Sequence, residues 1–548
     1  MKRLMLVLAL VAALVVVPGQ AGAHAVLISS VPHNGAALTE APPMAELRFN
    51  EPVTAEFTPI QVRDSAGVRV DAGDGRVDPQ DPTRLVAGLE PLGEGLYTIT
   101  YRVTSLDGHL VQGTLIFAVG AAGAAAGTPG GTGELKTSLP ASLLHGAAQW
   151  LSLLLAGLPT FFLLVWAPVD GLRRLPRSLR RVSALLGGLL LLSGLGELGV
   201  YAVRASGEPF SVGLLLRAAT GTRTGQLWLA RWVLGLLAWA VLACSGRSNR
   251  DLYAGGGPAH GRRSSAALLR AIALLPGAGL LLTISLQSHA MATREWLPVA
   301  ADFTHLAAAA AWLGGLAGFA LALPAVDAAE RRAVLDPVIR RFSRVAVAAV
   351  SLLAATGAYG ALLHMPGPEA LTTTAYGTAL AVKLALLVPV LGLGAWNMVR
   401  RGHARFGRAV WAELGLMAAV VGAAGLLSSM PPATAEIRAR ARPFSALVHL
   451  QPLAMRLSVT PARLGMNSAT VWVAEHDGTP IGEASVGLRV RVLGQDVGLQ
   501  NIDARETEPG VYAAEPVVFG MPGEWEVEVV VLTRAGQEVR YAFLVDVP

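Results

Sequence analysis

Apolar and polar residues follow two different periods along this chain, and each change of period marks a boundary. Between residues 141 and 432 the sequence runs in long apolar stretches, in windows 143–166, 183–204, 227–245, 267–287, 302–324, 344–364, 378–398 and 410–430. Each is close to the ~20 residues that an α-helix needs to cross the hydrocarbon layer. From His24 to Gly120 the segments are short and alternate between Pro and Gly. Examples are Ala45-Glu46-Leu47-Arg48-Phe49, Tyr97-Thr98-Ile99-Thr100-Tyr101 and Thr114-Leu115-Ile116-Phe117-Ala118. Period-two strands at this turn spacing predict an antiparallel β-sandwich. The alternation returns in residues 445–548, in Val471-Trp472-Val473 and Trp525-Glu526-Val527-Glu528-Val529, and predicts a second sandwich. Residues 121–140, mostly Gly, Ala and Thr without apolar periodicity, read as a flexible linker. The expected fold class is multi-domain: a β-sandwich, an eight-helix transmembrane α-bundle and a C-terminal β-sandwich.

The first 23 residues have the build of a secretion leader. Lys2 and Arg3 precede an apolar core, Leu4 to Val17, and Ala21-Gly22-Ala23 supplies a small-residue cleavage site. Cleavage there leaves His24 as the first residue. Arginines crowd the loops after the first, third, fifth and seventh apolar stretches, for instance Arg173, Arg174, Arg177, Arg180 and Arg181, while the other loops hold few. By the positive-inside rule those loops are cytoplasmic, so both soluble domains are expected outside the inner membrane.

Composition agrees with a membrane protein: 53 % hydrophobic residues and only 15 % charged. The net charge of +6 does not indicate a nucleic-acid partner, because residues 24–120 hold 12 Asp/Glu against 6 Lys/Arg. The single cysteine, Cys244, excludes an intrachain disulfide and a thiolate cluster, and its place in an apolar helix predicts packing. No Gly-rich loop ends in Lys-Ser/Thr, so ATP is not an expected partner.

A terminal histidine offers an α-amine and an imidazole to one metal ion, and the amine titrates near neutrality. Nitrogen and oxygen donors of this kind favour Cu(II). Asp107 and His109 are candidate further ligands. On a strand their spacing puts both side chains on one face, whereas Asp107-Gly108 also suits a plain turn.

The N-terminal segment resembles the CopC copper-resistance family, of cupredoxin- or immunoglobulin-like fold. The resemblance rests on His24-Ala25-Val26-Leu27, Ser30-Val31-Pro32-His33-Asn34-Gly35, Arg48-Phe49-Asn50-Glu51-Pro52-Val53, and Tyr101 through His109 before Gly113-Thr114-Leu115-Ile116-Phe117. It implies Cu(II) ligation by His24, Asp107 and His109, with Glu51 as an outer-shell group. Some family members carry a methionine-rich Cu(I) site; here Met44 is the only Met from His24 to Gly120, so that site is not expected. His33 reads as a turn residue.

Histidines are costly within a bilayer and are functional candidates by default. His145, His289, His305 and His364 all fall at the outer ends of their apolar stretches, opening or closing them, with Met291, Met365 and Met430 at the same end. They are candidates for a copper path, with Cu(I) as the form thioethers favour. Gln287-Ser288-His289-Ala290, Asp302-Phe303-Thr304-His305, Ala311-Trp312-Leu313-Gly314-Gly315, and Lys383 with Gly394-Ala395-Trp396-Asn397 resemble the CopD copper-resistance membrane family. Glu197 and Lys383 are buried ionisable candidates for a structural pair or for ion passage. Thr460 through Asn467 and Asp477-Gly478-Thr479-Pro480-Ile481 resemble the YtkA-like domain, and His449, Met455, Met466 and His476 are candidates there for a copper relay or for ordinary surface and core.

The arrangement is similar to CopC–CopD fusions of the YcnJ type. It implies copper capture outside and transfer to the membrane domain for uptake, homeostasis or resistance, without enzymatic activity. Copper ions, the lipid bilayer and other copper chaperones are the expected partners. The competing readings are a membrane redox protein with non-covalent haem held by helix histidines, and an oxidative copper enzyme, which Asp107 at the metal disfavours.

Overall fold

The computed structural model describes residues 25, 27–32, 36–105, 108, 110–120, 132–134, 139–167, 177–248, 259–288, 290–291, 295–322, 324, 326, 331–365, 367–399, 406–428, 430, 432–439, 443–450, 453–475, 478–493, 499–521 and 523–547. The leader, His24, His33, Asp107, His109, His289, His476 and most of the linker lie outside them.

Among the described residues ten strands form the N-terminal domain: β1 (Leu27–Val31), β2 (Ala36–Leu38), β3 (Met44–Phe49), β4 (Val53–Thr54), β5 (Ile60–Asp64), β6 (Arg76–Val77), β7 (Arg84–Gly88), β8 (Gly95–Ser105), β9 (Leu110–Val119) and β10 (Thr132–Glu134). One sheet has the order β1-β3-β7-β6; the other is built on β10-β9-β8-β4, with β5 on β8 and β2 parallel to β9. The alternating segments read from the sequence are β3, β8 and β9. Leu47, Phe49, Ile99, Tyr101, Leu115 and Phe117 point into one shared core, because alternate Cβ atoms leave a strand on the same face. Residues 132–134 lie within the expected linker but pair with β9, Thr132 opposite Gly113. An edge strand needs only backbone donors and acceptors, which apolar periodicity does not report.

Asp71 is tied into this domain by an arginine fork. Arg69 donates through Nε at 2.9 Å and Nη2 at 2.6 Å, while Val62 N–H donates at 2.8 Å. Burial opposes ionisation of the carboxyl, yet Arg69 and the Val62 and Gly73 amides hold it below its usual range. Its stabilising contribution is therefore complete above the unfolded-state value of about 3.9, and is lost as pH falls through the lower folded value. Asp71→Asn is expected to destabilise the domain by about 2 kcal/mol at neutral pH. Hydrogen exchange of the β5 amides checks this: the gap between variant and unsubstituted chain should close on acidification.

The C-terminal domain contains β11 (Phe444–His449), β12 (Leu453–Thr460), β13 (Gly465–Glu475), β14 (Ser485–Val492), β15 (Gln500–Glu508), β16 (Val511–Phe519), β17 (Gly523–Leu532) and β18 (Glu538–Val547). They make one antiparallel sheet, β11-β12-β13-β16-β15-β14-β17-β18, curled in a barrel-like way around its own core. Phe444 on the first edge and Phe543 on the last meet edge to face at 6.5 Å. Met455 belongs to this core, His449 is exposed, and Met466 packs against the core of the N-terminal domain. The described members of the relay set are thus core and surface residues.

The helical body comprises α1 (Leu139–Phe161, continued by a π-helical turn Phe162–Trp166), α2 (Arg177–Ser206), α3 (Val212–Gly221), α4 (Arg223–Ser248), α5 (Ala259–Ser285), α6 (Trp296–Ala322), α7 (Arg331–His364), α8 (Ala370–Thr373), α9 (Ala375–Val399) and α10 (Phe406–Ser428). Eight of them, all but α3 and α8, are long and apolar enough to cross a membrane, so the chain is a multi-pass membrane protein. α1 and α6 form the centre, with 78 % and 67 % of their apolar windows buried, against 6 % for α9. Glycine lets the central pair touch backbone to backbone. A Cβ at Gly157 would stand 2.8 Å from Gly314 Cα, and one at Gly314 2.6 Å from Gly157 O. Cys244, expected in packing, is exposed at the end of α4.

Candidate functional site

Three parts of the N-terminal chain converge at one end of the β-domain. β1 starts at Leu27, opposite Phe49 at the end of β3, so the N-terminal end of β1 lies beside the Phe49-Asn50-Glu51 stretch. The edge of Phe49 meets Tyr101 of β8 at 5.7 Å and links the two sheets there. Ser105, the last residue of β8, donates to Glu51 Oε1, and the pairing of Val53 with Ser105 fixes that approach. β8 ends at Ser105 and β9 starts at Leu110; Asp107 and His109 fall between the two in the chain and lie outside the described residues. Gly108 has φ +87°, a left-handed conformation that glycine adopts without a Cβ clash. Glu51 itself is 8 % exposed. Burial pushes the nearby Tyr101 phenol upward, which keeps it neutral.

The membrane body holds two polar groups in the halves of its helices where the candidate histidines lie. In the first, His145 Nδ1 of α1 lies 3.4 Å from Glu197 Oε2 of α2, and Gln149 Nε2 donates to His145 Nε2 at 2.9 Å and to Ser428 Oγ at 3.1 Å. Arg231 of α4 is in electrostatic reach of Glu197. It donates to Thr283 Oγ1 at 3.0 Å and Gln287 Oε1 at 2.6 Å, its guanidinium 4.2 Å from the centre of the Trp228 ring. Glu197 therefore pairs with His145, not with Lys383.

The second group gathers CopD-like stretches from three helices. His305 Nδ1 lies 2.8 Å from Thr356 Oγ1 of α7. Asp302, one turn earlier on α6, faces Ser285 and Ser288, with Lys383 of α9 in electrostatic reach of both Asp302 and His305. Asp302 Oδ2 is enclosed and has no hydrogen-bond partner among the described residues. Sequence reading signalled His305 and Lys383 but passed over Asp302's own role, although an acidic residue in an apolar stretch is itself the signal. His305 does not open its helix. α6 begins at Trp296, so the imidazole sits more than two turns inside the bundle. His364 does close α7, its ring 6.4 Å from Tyr376, with Met365 following it, and Met291 lies just beyond α5.

Among the described residues no three His, Cys, Asp or Glu side chains stand together as a ready metal-holding set. Among the described residues His145 and His305 have separate partners, and the 283–288 stretch serves Arg231 on one side and Asp302 on the other. The arrangement offers successive polar stations rather than one closed cage.

Comparison with known proteins matches three families in one chain: the CopC domain over residues 27–120, copper resistance protein D over 336–427, and the YtkA-like family over 448–530. The copper transport protein CutJ of Bacillus subtilis is 28 % identical over 551 aligned positions, 97 % of each chain. Protein YobA of Escherichia coli K12 is 31 % identical over 98 residues, 18 % of this chain and 79 % of YobA. The crystal structure of PcoC, a methionine-rich copper resistance protein from Escherichia coli, has 31 % identity, covers 18 % of this chain and 98 % of PcoC, and has a TM-score of 0.16. The chain belongs to the copper transport and resistance family that joins CopC, CopD and YtkA-like domains in a single polypeptide.

Proposed function

We propose that residues 24–120 capture Cu(II) on the outer side of the membrane and pass copper to residues 141–432 for uptake. Residues 1–23 act as the leader, 121–140 connect the two, and 445–548 form an outer accessory domain. The α-amine and imidazole of His24 grip the ion with Asp107 and His109, while Glu51, fixed by Ser105, stands behind them. The observation that carries this reading is the meeting of the strand preceded by His24, the Glu51 stretch and the β8–β9 hairpin at one end of the domain. With Met44 as the only methionine in that domain, the bound form is Cu(II) rather than Cu(I).

Copper then moves inward by way of His145, His289, His305 and His364, with Met291 and Met365 favouring Cu(I) on this path. The linker keeps donor and acceptor at high effective concentration. The enclosed carboxyl group of Asp302, with one oxygen left without a hydrogen-bond partner among the described residues, supports a cation route, since a free acceptor in a low-dielectric interior attracts a cation strongly. Other copper chaperones are fitting partners on either side, and the chain acts as a transporter rather than an enzyme. Copper accumulation in cells carrying the Asp302→Asn chain should fall about tenfold relative to the unsubstituted chain. Equal accumulation at equal membrane abundance, measured by elemental mass spectrometry, would remove this route.

A further inference from the structure

The ends of α6, α7, α9 and α10 remote from His305 enclose a cavity of about 270 Å³. Its walls are largely apolar, with Trp312, Phe319 and Phe342 supplying aromatic faces, Ser343 and Ser351 two hydroxyls along α7, and Asn397 with Glu413 a polar corner. There Glu413 of α10 is only 3 % exposed; its Oε2 accepts from Asn397 Nδ2 at 2.9 Å, and the indole of Trp312 also donates to the carboxyl group. A Cβ on Gly394 would stand 3.2 Å from Glu413 Oε1, so bare backbone of α9 gives that oxygen room. Two CopD-like stretches remote in sequence, Ala311–Gly315 and Gly394–Asn397, thus meet at one buried carboxyl that the copper route does not use.

The cavity has a side entrance. α7 and α9 both line it, yet among the described residues these two helices do not pack along each other. At its margin Val347 of α7 is 56 % exposed and Leu391 of α9 is 38 % exposed, on apolar surface where lipid would lie. A carboxyl group can accept about four hydrogen bonds, and Asn397 and Trp312 supply two. A lipid acyl chain has no donor for the remainder. A hydroxylated aromatic ring has both the donor and the flat apolar face. The volume falls just under the roughly 300–1,000 Å³ of small-molecule pockets, which suits a compact head group whose tail leaves sideways.

We propose that this cavity binds the head group of a membrane quinol, its ring between Phe319, Phe342 and Trp312 and one hydroxyl donating to Glu413. The proposal stands on this cavity alone and not on the copper route. Full-length protein in nanodiscs of one synthetic phosphatidylcholine is titrated calorimetrically with duroquinol, a short hydroquinone. The unsubstituted chain is expected to bind saturably at one site. Glu413→Gln should weaken binding about tenfold, and Ala346→Trp, which fills the cavity from α7, should abolish it. Circular dichroism and Cu(II) binding of each variant, unchanged from the unsubstituted chain, separate this outcome from misfolding and from loss of copper capture. Absence of saturable binding, equal affinity in all three proteins, or a co-purified phospholipid that duroquinol cannot displace would each overturn the proposal.

Discussion

His109→Ala is expected to weaken Cu(II) binding by the purified chain beginning at His24 by at least ~100-fold, beyond the roughly 10–100-fold that loss of an outer-shell partner costs. The reason is chelate geometry. The amine and imidazole of one residue close a ring on the ion, and the remaining positions must come from a segment held at the same place. β8 and β9 bring the two ends of that segment together, since Thr104 pairs with Leu110. Ser105 in turn fixes Glu51. Glu51→Gln should therefore cost less than His109→Ala, since it alters the field behind the ion without removing a donor. A chain that keeps its first 23 residues should lose affinity as severely as His109→Ala, because its His24 has no free amine. Competition titration against a chromophoric Cu(II) chelator measures all three. Equal affinity of His109→Ala and the unsubstituted chain would remove the ligand assignment.

Gly314→Val is expected to disrupt the membrane body by about 3 kcal/mol or more, the upper end of overpacking costs. The added methyls would meet the backbone of Gly157 in α1, which no rotamer change relieves. α1 is the most enclosed of the spanning helices, packed by neighbours that prevent it from yielding. Association within a bilayer depends on such close packing, since lipid tails are as apolar as the helices. Gly392→Val on α9 is the matched control, because a Cβ there meets nothing within 4 Å. Loss of helical signal during titration with sodium dodecyl sulfate should come earlier for Gly314→Val and be unchanged for Gly392→Val.

Much of this organisation is legible one residue at a time. Length and continuous apolarity predict eight spans, and all eight windows fall on helices, some of which begin well before the window, as α7 does at Arg331 and α5 at Ala259. Alternation predicts β3, β8 and β9 because a strand with one buried face must alternate. The start of α6 is misjudged for a local reason. Pro298 lowers the apparent helical character of Trp296 to Ala301, yet in a first turn its missing N–H leaves no bond unmade. That six-residue difference moves His305 from a helix mouth to the bundle interior. The C-terminal alternation fixes which side chains face inward but not whether two sheets stack or one sheet curls, which the meeting of Phe444 with Phe543 decides.

By itself the sequence determines the succession of a β-domain, eight apolar helices and a second β-domain, and nominates His24, Asp107 and His109 as copper ligands. Only the tertiary structure decides which polar groups in the helical body answer one another: Glu197 with His145, Asp302 near Lys383, Trp312 and Asn397 on Glu413. Periodicity is a property of each segment and survives in one dimension. A buried polar side chain instead takes whichever partner the rotation and tilt of neighbouring helices bring within reach, because in a low-dielectric interior leaving it unpaired is costly. Those rotations are set by contacts such as Gly157 on Gly314, which join residues far apart in the chain.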